Sequence, residues 1–342
     1  EKFDQCRNVL GLTDEQLAEM IKQDRIDILV DLAGHTAGNR LKALAYKPAP
    51  IQITYLGYPD TTGMEQIDYR LSDELAEPPD AERYYSEELA VLPDGFLCYR
   101  GPDFAPPVAQ LPCRKNGYVT FGSFNNAAKV NQRVVELWSK VLKQVPGSRM
   151  LLKVRGGQQE GVQQRFLEMF ENCGIESSRI EIIGRKDARE HLEMYGQIDI
   201  ALDTYPYHGT TTTCEALWMG VPVVTLVGEH HASRVGLSIL SRVGLGAFAA
   251  KTEDEFVSRA GNLAGNPEAL EQMRQRLRGT MRSSLLCDEK GFAKKVETMY
   301  RQMWHIWCQK QGTPIDALRQ NSQTQSQADY ATPQSQTPQN DS

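Results

Sequence analysis

The run Asp203-Thr-Tyr-Pro-Tyr-His-Gly-Thr-Thr-Thr-Thr-Cys-Glu215-Ala-Leu-Trp-Met-Gly-Val-Pro-Val-Val224 holds the densest chemistry in the chain. It leaves an apolar stretch, residues 198–202, that reads as a buried strand. It then passes Gly209 and four threonines, Thr210, Thr211, Thr212 and Thr213, and continues into an apolar helix. A strand, a small-residue loop and a helix start are the parts of a phosphate-binding turn. The first N–H groups of a helix lack internal partners, and the helix dipole favours negative charge there. The threonine hydroxyls add donors, so the segment could hold a diphosphate without a metal. Glu215 is expected in the first helical turn, within reach of ribose hydroxyls. A threonine is also a good N-cap, and Gly209 could serve only a tight turn. Four hydroxyls in a row exceed what one cap uses.

Other residues could join this chemistry. Lys129, in Phe121-Gly-Ser-Phe-Asn-Asn-Ala-Ala-Lys129, follows a strand-like run and could neutralise a leaving diphosphate. Read alone, it is a solvated surface lysine. Asn125 and Asn126 are turn formers or ligand contacts. His191, at a helix start, either caps that helix or packs on a nucleobase. His35, in the turn Gly34-His35-Thr36, is a polar group at a cleft mouth or a loop residue. His208 lies inside the threonine loop without an assigned role. Glu229, His230 and His231 lack the spacing of a zinc site and read as a loop before a helix. No two aspartates stand two residues apart, so there is no Asp-x-Asp pair to hold a metal–nucleotide complex. A metal-independent reaction is favoured, with no metal ligand and no cofactor.

The elements that must position these groups alternate. Strands are predicted over residues 26–32, 51–56, 69–71, 89–92, 117–122, 150–154, 180–183, 198–202 and 221–226. Helices are predicted over 13–24, with Thr13 and Gln16 as a capping box, then over 40–46, 131–144, 159–173, 187–196, 232–241, 253–264, 267–281 and 289–308. Such alternation implies an α/β fold with parallel sheets. A proline-rich stretch, 101–116, reads as a linker. The expected organisation is therefore a first domain over 1–100, a linker over 101–116, a second domain over 117–310 and a disordered polar tail over 311–342. Ligands of such sheets sit at the C-terminal ends of strands, where Gly34 to Thr36, Ser123 to Lys129 and Tyr205 to Glu215 all fall.

Bulk properties narrow the classes. The chain has 342 residues and a net charge of −6, with no basic stripe, which makes nucleic acid a poor partner. The seven cysteines are scattered without a C-x-x-C pair, which suits a reducing, cytoplasmic setting, or a nuclear one in a eukaryote. No apolar run is long enough to span a bilayer, so no membrane partner is expected. The chain opens on Glu1, and is read as a piece of a longer protein.

Several motifs in order resemble the catalytic region of the O-GlcNAc transferase/SPINDLY family: Asp31-Leu-Ala-Gly-His-Thr36, Lys47-Pro-Ala-Pro-Ile-Gln52, Leu56-Gly-Tyr-Pro59, Phe121-Gly-Ser-Phe-Asn-Asn126 with Lys129, and Tyr205-Pro-Tyr-His-Gly-Thr-Thr-Thr-Thr-Cys-Glu-Ala-Leu217. The similarity covers about residues 20–310. It implies a GT-B fold, two Rossmann-like domains facing a cleft, here with the N-terminal one incomplete. It also implies inverting, metal-independent transfer of one GlcNAc from UDP-GlcNAc to Ser or Thr hydroxyls of proteins. By position, Lys129 is similar to the lysine that contacts the donor diphosphate, Asn126 to a neighbouring donor-site residue and His191 to the histidine near the nucleobase. Thr211 and Thr212 are similar to the paired threonines at the helix start, and Glu215 to an acidic ribose-binding position. Thr210 stands where the O-GlcNAc branch has histidine. The run Gly-Thr-Thr-Thr-Thr-Cys-Glu is closer to the SPINDLY branch, which implies protein O-fucosylation from GDP-fucose as the alternative. Family members carry tetratricopeptide repeats and part of the first catalytic domain upstream, so a nucleotide-binding piece without turnover is a third expectation. The base that takes the acceptor proton has His35 as its candidate.

Overall fold

The structure is a computed structural model, and it describes residues 3–312. The expected disordered tail therefore lies, from residue 313 on, outside the described residues. The first unit is built from α1 (Asp14–Gln23), β1 (Ile28–Asp31), α2 (Leu41–Leu44), β2 (Ile51–Thr54), β3 (Tyr69–Ser72) and β4 (Glu88–Val91). Its strands are all parallel in the order β1-β2-β3-β4. The Thr13–Gln16 capping box closes the start of α1 as the sequence predicts.

The second unit runs through α3 (Pro112–Asn116), β5 (Thr120–Ser123), α4 (Gln132–Gln144), β6 (Arg149–Lys153), α5 (Glu160–Asn172), β7 (Ile180–Ile183), α6 (Ala188–Met194), β8 (Ile200–Leu202), α7 (Thr211–Trp218), β9 (Val223–Leu226), α8 (Val235–Arg242), β10 (Ala249–Ala250), α9 (Glu253–Ala264) and α10 (Pro267–Arg282). A last helix, α11, spans Glu289–Lys310. The six parallel strands run β10-β9-β8-β5-β6-β7. Counted within the unit, this is the doubly wound order 3-2-1-4-5-6, whose direction of winding reverses between β5 and β8. The crevice beyond the carboxyl ends of those two strands is where such sheets take ligands.

The apolar runs are buried on both faces, as central parallel strands require. Met150, Leu152, Ile200, Leu202 and Val224 join one cluster with Val134, Trp138 and Phe256 of α4 and α9. Their alternates Leu151, Ala201 and Val223 join the opposite cluster with Leu192, Leu217, Ile239 and Leu277 of α6, α7, α8 and α10. Trp138 has no exposed surface, and its Nε1 donates to the carbonyl of Asp203 at 3.1 Å, just past β8.

Two segments differ from the sequence expectation. The stretch expected as a linker is packed down: Leu111 is buried, α3 forms within it, and the Cys113 N–H donates to Asp199 Oδ1 at 2.9 Å. Helix α11, expected inside the second domain, returns to the first sheet. Met303 lies in one cluster with Ile51, Ile53, Tyr69 and Leu71, and Tyr300 and Trp304 pack against it. The apolar spacing of α11 signals a buried face but carries no information about which sheet receives it. The short strand β10 was missed because two alanines carry no periodicity.

The two units are also tied directly. Ser238 Oγ donates to Asp73 Oδ2 at 2.6 Å, Arg234 Nε to the Leu75 carbonyl at 3.1 Å, and His231 Nδ1 meets Glu77 Oε1 at 2.6 Å. Replacing Trp138 by alanine removes a core ring and the only side-chain donor on the Asp203 carbonyl among the described residues. The expected loss is about 3–5 kcal/mol of unfolding free energy, read by urea denaturation.

Candidate functional site

The loop after β8 is held by one buried carboxylate. Asp203 Oδ1 accepts the N–H of Thr204 at 2.9 Å and of Gly209 at 2.8 Å, and its Oδ2 accepts the Thr225 hydroxyl from β9 at 2.9 Å. This closes the seven residues from 203 to 209 into a fixed arch. Gly209 is obligatory there: a Cβ would fall 2.3 Å from Thr212 Oγ1 and 2.8 Å from Asn125 Oδ1.

His208 is fully buried inside the arch. The Gly236 N–H donates to its Nδ1 at 3.1 Å, so its Nε2 carries the proton and donates to the Leu226 carbonyl at 2.8 Å. Burial lowers its pKa below the usual histidine value, against the opposing pull of Asp203. His208 is a neutral scaffold residue whose main-chain carbonyl is turned to the site.

Lys129 receives that carbonyl. Its ammonium donates to His208 O at 2.7 Å and lies 3.7 Å from the centre of the Tyr207 ring. Burial draws the Lys129 pKa down, with Asp203 opposing. A lone surface lysine would show neither contact. The two loops at the switch point, one after β5 and one after β8, therefore meet at a single cation.

The threonines divide into two pairs. Thr212 Oγ1 donates to Asn125 Oδ1 at 2.9 Å, and Thr213 Oγ1 to the Gly209 carbonyl at 2.9 Å. These two build the loop. Thr210 and Thr211 make no side-chain hydrogen bond among the described residues, and Thr211 is exposed at the first position of α7. The first N–H groups of α7 stand beside them with the positive end of the helix dipole. Asn125 is buried and braces this turn, whereas Asn126 is exposed and caps the short turn that delivers Lys129, accepting the Ala128 N–H at 3.1 Å.

Glu215 lies one turn deeper than expected, at the fifth position of α7. The helix starts at Thr211, inside the threonine run, so four of its residues precede Glu215. Its Oε2 is 2.8 Å from His191 Nε2 on α6, so two residues assigned to separate parts of the ligand are partners. His191 Nδ1 is buried without a partner. The ring sits among Phe124 and Tyr195, at centroid distances of 5.9 and 5.4 Å. His191 is the fourth residue of α6, whose cap is Asp187.

His35 belongs to the first unit. Asp31 Oδ2 accepts the Gly34 N–H at 2.7 Å and fixes the turn after β1. His35 is exposed, its Nε2 lies 2.8 Å from the Thr62 carbonyl, and its ring stands edge-on to Tyr58 at 5.3 Å. Tyr58 in turn adds to the effect of burial in raising the pKa of Tyr207, which covers Lys129. The first unit thus reaches the site through Tyr58.

The roles of four residues do not follow from the sequence. Lys153 ends β6 with its ammonium 5.8 Å from the Phe124 ring centre and near Glu215, its pKa lowered by burial. A lysine closing an apolar strand on the ligand end of the sheet was the available signal. Tyr207 and the inter-unit pair His231–Glu77 depend on tertiary contact and left none. No group of three or more His, Cys, Asp or Glu side chains able to hold a metal occurs among the described residues.

Two parallel-sheet α/β units, the second of them doubly wound, facing one another across this site define a GT-B glycosyltransferase fold. A family model described as glycosyl transferase family 41 matches residues 11–102 and 110–296, and the chain belongs to that family. It is 46% identical over 303 residues to a Hordeum vulgare protein named probable UDP-N-acetylglucosamine--peptide N-acetylglucosaminyltransferase SPINDLY, covering 88% of this chain and 32% of that protein. It is 31% identical over 314 residues to the similarly named SEC protein of Arabidopsis thaliana, covering 89% of this chain and 32% of that protein. Among solved structures, a mutant of the Thermobaculum terrenum O-GlcNAc transferase superposes with a TM-score of 0.84 at 37% identity, covering 90% of this chain and 58% of that one. A sucrose-phosphate synthase from Thermosynechococcus elongatus shares the fold alone, with a TM-score of 0.57 at 14% identity over 86% of this chain and 77% of that one. The chain spans about a third of the length of the curated relatives it matches.

The tautomer of His208 sets a pH dependence. Its folded pKa lies below the unfolded value of 6.5, so above pH 6.5 both states are neutral and nothing is lost. As pH falls below 6.5 the unfolded state binds the proton first and stability declines, by up to about 1.4 kcal/mol per pH unit. Urea unfolding at pH 7.5 and 5.5 is expected to show this decline, reduced in His208→Gln.

Proposed function

We propose that the second unit holds a nucleotide-sugar and that the paired units transfer its sugar to Ser or Thr hydroxyls of proteins, with inversion and without a metal. The observation that carries this reading is the Lys129 ammonium on the His208 carbonyl, 2.7 Å away, at the switch point beside the opening turn of α7. A pyrophosphate placed there meets a desolvated cation, the N–H groups of α7 and the hydroxyls of Thr210 and Thr211. The buried, unpartnered Nδ1 of His191 supports a nucleobase contact, and Glu215 beside it supports a ribose or base contact.

In the proposed reaction the acceptor oxygen attacks the anomeric carbon from the face opposite the pyrophosphate. The glycosidic C–O bond to phosphate breaks, and its electron pair leaves on the nucleoside diphosphate. Lys129 and the α7 N-terminus stabilise that charge as donors fixed before the reaction begins. His35 is the proposed acceptor of the hydroxyl proton. With Nε2 turned to the Thr62 carbonyl, its Nδ1 is the nitrogen left to take it.

The proposed donor is UDP-GlcNAc, following the names of the relatives. GDP-fucose is the second reading, favoured by Thr210 before the threonine pair. Thermal unfolding with UDP, UDP-GlcNAc, GDP and GDP-fucose separates them. Protection by the uridine ligands alone is expected, by about 2.7 kcal/mol at a hundredfold excess over Kd, and protection by the guanosine ligands alone would replace GlcNAc with fucose. Lys129→Ala is expected to lower transfer from a radiolabelled donor by about a hundred- to a thousandfold with the fold intact. Transfer near the parent rate in that variant rejects the role. Nucleotide binding without any transfer by the parent chain identifies a non-catalytic piece.

A further inference from the structure

On the opposite end of α7 from Thr211, a cavity of about 490 Å³ opens between the second unit and the connector that leads into it, residues 99–105. Tyr99, Arg100 and Gly101 line it from the connector, and Trp218, Arg278 and Arg282 from the ends of α7 and α10.

Its charge is unbalanced. Arg100 lies 3.7 Å from Asp103 and 4.0 Å from Glu289, which occupies both carboxylates of the lining. Arg278 and Arg282 have no carboxylate within ion-pair distance among the described residues. Both guanidiniums stand over one indole, 5.6 and 5.4 Å from the Trp218 ring centre. Arg278 commits Nε to the Trp218 carbonyl at 2.6 Å and Nη2 to the Pro106 carbonyl at 2.8 Å. Arg282 is exposed, and its side chain makes no hydrogen bond among the described residues. Burial, and then the neighbouring charge of Arg282, lowers the Arg278 pKa.

Its polar lining is also incomplete. Tyr99 Oη and Trp218 Nε1 are both buried without a partner, in an indole only 7% exposed. The indole lies against Gly101, where a Cβ would fall 2.0 Å from Trp218 Cε2. Buried donors in folded proteins are normally paired, and these two belong to residues that line a cavity that two arginines leave positive. A planar guanidinium suits phosphate, which brings close to two negative charges and three acceptor oxygens. The volume falls within the range of roughly 300–1,000 Å³ usual for small-molecule sites.

We propose that this cavity binds a small phosphate monoester. The phosphate oxygens take N–H groups of Arg282 and Arg278 and the Tyr99 hydroxyl, and the organic part lies on Trp218. Such a ligand ties the connector to the C-terminal ends of α7 and α10, away from the donor site.

Calorimetric titration of the chain with phenyl phosphate and with inorganic phosphate tests this, with Lys129→Ala run in parallel because the donor site also attracts phosphate. Phenyl phosphate is expected to bind, to weaken about tenfold in Arg282→Gln and in Tyr99→Phe, and to bind Lys129→Ala unchanged. Tyr99→Phe keeps the ring and its packing, so a folding defect in the other variant leaves the test standing. Absence of phenyl phosphate binding overturns the proposal. So does binding lost in Lys129→Ala but kept in Arg282→Gln, or inorganic phosphate binding as tightly as the monoester.

Discussion

The buried carboxylate of Asp203 is the constraint on which the site depends. It stands at the end of a central strand and gathers two N–H groups from its own loop and a hydroxyl from the next strand. Without it, Gly209 would not be drawn down to Thr212 and Asn125, and α7 would not open toward the crevice. Leaving those donors unpaired inside the protein costs about 1–3 kcal/mol each, which exceeds what one exposed loop bond returns. The arch is therefore set before any ligand arrives.

The same arrangement accounts for the placement of positive charge. His208 fills the arch as a neutral ring, with both nitrogens committed to the main chain, so its carbonyl faces outward. The Lys129 ammonium takes that carbonyl and the face of Tyr207 in place of water. Keeping a half-buried lysine charged is unfavourable unless something negative comes close, and a pyrophosphate would supply it. A cation held dry and fixed acts more strongly on a developing charge than one that must shed water first.

Much of this was legible in the chain. The strand–loop–helix around Thr210 to Thr213 and the placement of Lys129 after a strand followed from residue types and order alone. The division of labour among the threonines did not, because it depends on which hydroxyl meets Asn125 from 87 positions away. The His191–Glu215 pair was hidden for the same reason: α6 and α7 are separated by a strand, and only the winding of the sheet sets them side by side. The start of α7 at Thr211, within the threonine run and not after it, places Glu215 in the second turn instead of the first. Tyr58 and Tyr207 became visible as neighbours only once the two units faced each other.

Helix α11 has a temporal implication. The apolar face formed by Ile51, Ile53, Tyr69 and Leu71 is completed by residues around Met303, some 230 positions later in the sequence. During synthesis on the ribosome the earlier sheet emerges with that face bare, and it stays so until the last helix leaves the exit tunnel. The second unit, whose strands and covering helices lie close together in sequence, can condense in the meantime. Completion of the first unit is thus a late event, and the interval before it is when chaperones have the most exposed hydrophobic surface to guard.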